Sequence, residues 1–137
     1  MAKLEIVKEK LYEKNASLVV LYSNGECKEY YQNRINDIKD ILKEDENALK
    51  DAIIADKVIG KVAASVLTIA GVSKIYADVM SRYAIPVLEN NNIKYEYKNL
   101  TDYIINNSKT GMCPMENKYK DENDINKIYK EMVKTAR

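Results

Sequence analysis

The chain has 137 residues, enough for one domain with a single core, and its 46% hydrophobic and 31% charged content argues against disorder. A net charge of +1 leaves no electrostatic footprint for nucleic acid or an anionic membrane, and two cysteines make no disulfide framework, as expected of a cytoplasmic protein. Histidine is absent, which excludes Ser-His-Asp triads, His zinc sites and imidazole acid–base chemistry.

Met1-Ala2-Lys3-Leu4-Glu5 reads as neither a signal nor a transit peptide. Leu4, Val7 and Leu11 recur at helical spacing, which predicts an amphipathic helix from about Ala2 to Lys14. Ser17 to Tyr22 reads as a strand. Asn24-Gly25 is a strong hairpin signal leading to a second strand near Cys27 to Tyr31, where packing is the default role for Cys27. Ile35, Ile38, Ile41 and Leu42 mark another helix, followed by a solvated acidic connection at Glu44-Asp45-Glu46.

The stretch from Ala52 to Gly71 organises the rest. Ala52 to Ala55 suits a short buried strand, and Lys57 to Ala70 a helix apolar on every side, hence buried. Asp56 fits its N-cap and Gly71 the left-handed position past its end. At ~1.5 Å per residue this helix is too short for a bilayer. On this reading Lys57 and Lys61 share one face of the first turns, where cations oppose the helix dipole and each other. Something negative is expected beside them: Asp56, another carboxylate, or an anionic ligand at the exposed N–H groups.

Lys74 to Met80 alternates as a strand; its Asp78 needs a partner or water, and Lys57 or Lys61 could supply one. Ser81 can cap a helix reaching about Asn91, with Pro86 confined to the first turn. Ile93 to Tyr97 gives another strand. Strand, helix, strand, helix, strand from Ala52 to Tyr97 implies a parallel portion of sheet, and the initial hairpin an antiparallel one. The expected fold class is α/β: one domain over 1–137, a three-layer α/β/α sandwich with a mixed sheet. Leu100, Tyr103 and Ile104 fit either a helical turn or a strand. Asn106 to Gly111 is a polar loop.

Proline suits the first helical position, so Cys113-Pro114 marks a helix start with Cys113 at its cap. A thiol there could act as a nucleophile, or simply fill space as a small hydrophobe. Asp124 caps a last helix whose Ile125, Ile128, Tyr129 and Met132 form one apolar stripe. Phosphate motifs fail: Gly60-Lys61 lacks the rest of a P-loop, and four glycines form no Gly-x-Gly-x-x-Gly. The scattered tyrosines form no basic stacking stripe for nucleic acid.

Ala55-Asp56-Lys57-Val58-Ile59-Gly60-Lys61-Val62-Ala63-Ala64, Ile75-Tyr76-Ala77-Asp78-Val79-Met80-Ser81, and Tyr103-Ile104-Ile105-Asn106 with Thr110-Gly111-Met112-Cys113-Pro114-Met115-Glu116 resemble an uncharacterised prokaryotic family, domain of unknown function 1893. The resemblance implies a cytidine-deaminase-like fold and brings no established activity. Zinc deaminases need a His or Cys and a catalytic Glu on one helix start, and Pro-Cys-x-x-Cys on the next. This chain has neither, so neither a metal site nor a cofactor is expected.

Two functions remain. In the first, Lys57 and Lys61 hold a small anionic or nucleotide-like ligand, oriented by Asp78, Asn106 and Thr110. In the second, the pocket belongs to a metal-independent enzyme with Cys113 as nucleophile, Lys57 assisting, and Asp56 or Asp78 handling protons. A homo-oligomer is a further expectation; nucleic acid and membrane are not expected partners.

Overall fold

The computed structural model describes residues 3–32, 35–105 and 108–134. Among these residues, five strands form one mixed sheet in the order β2-β1-β3-β4-β5. Helix α1 (Lys3–Glu13) leads into the antiparallel hairpin β1 (Leu18–Leu21) and β2 (Cys27–Tyr30). The hairpin forms as the Asn-Gly pair predicts, but over a longer loop: the Gly25 N–H donates to the Tyr22 carbonyl and the Tyr22 N–H to the Glu26 carbonyl, with Gly25 at φ +92° and the Glu26 N–H on the Asn24 side chain. Helix α2 (Asn36–Glu44) follows, and Glu44, Asp45 and Glu46 lie exposed after it.

Strand β3 (Ile53–Ile59) is flanked by antiparallel β1 and parallel β4 (Lys74–Ser81), with β5 (Lys94–Thr101) parallel beyond β4. Helices α3 (Lys61–Ala70) and α4 (Ile85–Asn90) make the connections. After β5 come α5 (Pro114–Tyr119) and α6 (Ile125–Tyr129), the latter continuing as a π-helical turn over Lys130–Lys134. No described helix is long and apolar enough to cross a membrane.

The helices cover the sheet unequally. On one face α1 lays Val7 and Leu11 over Val19, Ile53, Ala55 and Tyr76. The remaining helices enclose the larger core on the other face, where Ile54 and Ile75 meet Val66, Leu67, Leu88 and Ile128. This is the expected α/β sandwich with a mixed sheet. Helix α3 is central: Val62, Ala64, Val66, Leu67 and Ala70 are buried, and α4, α5 and α6 all pack on it. It ends as expected, Gly71 at φ +88° donating its N–H to the carbonyls of Leu67 and Thr68.

The start of α3 differs from the expectation. Strand β3 runs through Asp56 and Lys57 to Ile59, and the helix begins at Lys61 with Gly60 as its cap. Pairing on both sides explains the longer strand: Asp56 is opposite Leu18 on one side and Ala77 on the other, and the ladder with β4 continues to Ile59. Asp56 is therefore no N-cap, and Lys57 and Lys61 do not share a helical face. Strand β5 likewise runs to Thr101, placing Leu100 in the sheet. Ser81 closes β4 and its Oγ accepts from the Tyr83 N–H at 3.1 Å, so α4 starts four residues later with Pro86 in its first turn. Asp124 caps α6 as expected, accepting from the N–H groups of Asn126 and Lys127.

Candidate functional site

The end of β3 and the start of α3 form one wall of a small pocket. Asp56, Val58, Gly60, Lys61, Val62 and Ala63 line it from these elements. Ile104, Cys113, Met115 and Glu116 close it from the segment after β5, with Ile35 and Met132 at its far side, around a cavity of about 90 Å³. Apart from Asp56, Lys61, Cys113 and Glu116, every side chain here is apolar.

Glu116, to which the sequence reading assigned no role, builds this corner. Its side chain is 2% exposed. One carboxylate oxygen accepts the Lys61 N–H at 3.0 Å and the other accepts the Ile104 N–H. It thus caps the central helix from 55 residues away, supplying the negative partner expected there. Gly60 makes the approach feasible: a Cβ at that position would sit 2.7 Å from Glu116 Oε1 and 2.8 Å from an Ile104 side-chain carbon. Ile105 bridges to Met112, and the Cys113 N–H donates to the Ile104 carbonyl at 2.7 Å, closing the neck of the intervening loop. Pro114 takes the first helical position and Cys113 the cap; the Cys113 carbonyl accepts from the Asn117 N–H.

Asp56 is 6% exposed and accepts the Val58 N–H at 3.3 Å. Burial pushes its carboxyl up to about 8, with a small contribution from the charge of Asp37, against the opposing pull of the Val58 and Lys57 N–H groups. A carboxyl in this setting is largely protonated at neutral pH. Lys61 is buried too, but its ammonium is directed to the Lys120 carbonyl at 2.8 Å. Burial lowers its pKa, opposed by the carboxylates of Asp121, Glu122 and Glu116.

Of the residues singled out from sequence, Asp56, Lys61 and Cys113 meet at this pocket. Lys57 does not join them: its amino group donates to the Asn15 side chain at 2.9 Å, beside the end of α1. Asp78 is elsewhere as well, bound by the Tyr12 hydroxyl at 2.6 Å, which also meets the Tyr76 hydroxyl at 2.7 Å. Neither lysine partners it. Thr110 is exposed and does not line the pocket, and Asn106 lies outside the described residues. Sequence reasoning misses Glu116 because its partner is distant in the chain. The available signal was Gly60, a residue well suited to an N-cap yet without a side chain to satisfy the helix.

A model of the family of unknown function DUF1893 matches residues 6–135. Among solved structures, a DUF1893 family protein (TM1506) from Thermotoga maritima is similar in fold, with a TM-score of 0.85 and 21% identity over 98% of this chain and 91% of that one. The curated proteins include no match. With the family model covering nearly its whole length, the chain belongs to the DUF1893 family.

Proposed function

We propose that the chain binds a small uncharged molecule in this pocket, through an edge that sets a hydrogen-bond acceptor beside a donor. The observation carrying this reading is Asp56, a buried carboxyl lining an otherwise largely apolar cavity, with its pKa near 8. A protonated carboxyl offers one O–H donor and one carbonyl acceptor. That pair complements the ring nitrogen and amino group of a 2-aminopyridine or a cytosine-like base. An anion is less well suited, because Glu116 occupies the first N–H of α3 and Lys61 turns to Lys120. At about 90 Å³ the cavity is smaller than one that takes up benzene, so it admits the recognised edge while the rest of the ligand stays at the mouth.

The test uses 2-aminopyridine titrated into the protein, followed by amide NMR shifts. Shifts are expected at Val58, Val62 and Ala63, with Asp56→Ala weakening binding about tenfold, roughly 1.4 kcal/mol. Binding to the wild type should also weaken as pH rises past the Asp56 pKa of about 8, while Asp56→Asn, which keeps a donor and an acceptor, should show no such loss on the alkaline side. Shifts confined to another surface, or unchanged by Asp56→Ala, would refute the reading.

A second reading takes Cys113 as a nucleophile, supported by its place on the same pocket as Asp56. Lys57 and Asp78 contribute nothing to it from where they stand. Iodoacetamide discriminates here. Cys27, whose thiol burial pushes up, is the internal reference. Labelling of Cys113 that outpaces Cys27 and is blocked by 2-aminopyridine favours catalysis; equal, unprotected labelling counts against it.

A further inference from the structure

The two edges of the sheet are built differently. Strand β2 is four residues long and lies within reach of α1. Strand β5 has eight residues, six of them exposed, and among the described residues only β4 pairs with it. Tyr97 is 40% and Leu100 48% exposed on this strand. A long open edge is a template for another strand, and natural proteins usually shorten, bend or cover such an edge.

The order of side chains on β5 says which strand would fit. Lys94-Tyr95-Glu96-Tyr97-Lys98-Asn99-Leu100 is charge-complementary to itself when run antiparallel about Tyr97. Glu96 then lies opposite the partner's Lys98, and Lys98 opposite the partner's Glu96. Tyr97 faces the partner's Tyr97, Tyr95 the partner's Asn99, and the methylene stem of Lys94 covers the partner's Leu100. A register centred on Glu96 instead would set Glu96 against its own copy and Lys94 against Lys98, two like-charge arrangements. Directly opposed residues share a face of an antiparallel sheet, so the charges can meet. Glu96 makes no ion pair among the described residues, and Lys98 rests over the Tyr12 ring at 5.6 Å, a contact it can exchange. The Tyr95 and Tyr97 rings stack at 6.4 Å between centroids, so that face arrives ordered.

We propose that β5 is the contact between two copies of this chain, paired antiparallel about Tyr97 into one continuous sheet. The near-neutral net charge of +1 puts little long-range repulsion in the way.

Analytical ultracentrifugation of the full chain tests this. Wild type is expected to sediment as twice its 15.7 kDa mass. Glu96→Lys alone, or Lys98→Glu alone, should weaken association about tenfold, the order expected when two cross-strand pairs change from opposite to like charge. The double variant Glu96→Lys/Lys98→Glu keeps the wild-type net charge and should restore the dimer. Circular dichroism of each variant separates lost association from lost folding. A wild type that stays monomeric would mean that the lysines guard the edge, and the proposal fails. A dimer indifferent to these swaps, or one the double variant does not rescue, overturns it equally.

Discussion

Asp56 gives this chain, which has no histidine, a group that titrates near neutrality. The sign of its effect on stability follows from linkage. Its folded pKa of about 8 lies above the ordinary 3.8, so the native state holds the proton more tightly than the unfolded chain does. The associated stability is complete below about pH 4 and is lost as pH rises toward and through 8. Asp56→Asn removes the titration and keeps the shape. Urea unfolding should find that variant gaining on the wild type from pH 5 to pH 9, with the difference largest at pH 9. A constant difference across that range would show that Asp56 is not buried as a neutral acid. The same residue shows how local chemistry misleads: an aspartate between two apolar runs is a good N-cap by propensity, but a ladder on each side of β3 outweighs that preference.

At the level of elements, the join between β3, α3 and α5 depends on Gly60 and Glu116 together. Removing the carboxylate leaves the N–H groups of Lys61 and Ile104 without their acceptor in a buried place, at roughly 1–3 kcal/mol each. Glu116→Ala should therefore cost about 2–5 kcal/mol in denaturant unfolding, and Glu116→Gln, which retains an acceptor, less. Gly60→Ala should also destabilise, since its added methyl group meets both Glu116 and Ile104. Because the two changes act on one contact, the double variant should cost less than the sum of the singles. Strict additivity would mean that the close approach at Gly60 is not what constrains this site. Most elements were legible because hydrophobic period, the Asn-Gly turn, Cys113-Pro114 and Asp124 are local signals. The capping of α3 was not legible, since no periodicity links position 60 to position 116.

For the whole molecule, the centre of the sheet and its β5 edge predict unequal resistance to opening. Strands β3 and β4 and helix α3 have neighbours on every side, whereas β5, among the described residues, has a strand on one side only. Local opening follows such differences in packing. In dilute protein, hydrogen exchange should be slowest at the amides of Ile54, Ile75 and Leu67 and considerably faster along β5. Leu67, fully buried, should lose about 2–5 kcal/mol on replacement by alanine, read by urea unfolding. A Leu67→Ala cost near zero would mean that the core around α3 is loosely packed.

The acceptor for the first turn of the innermost helix arrives from residue 116, late in a 137-residue chain. A polypeptide made from its amino end therefore exposes the bare start of α3 to water while β5 and everything beyond it are still being synthesised. Nascent chains halted before Glu116 should hold that turn frayed, and protease sensitivity at Gly60 should disappear only once the Cys-Pro-Met-Glu segment has emerged.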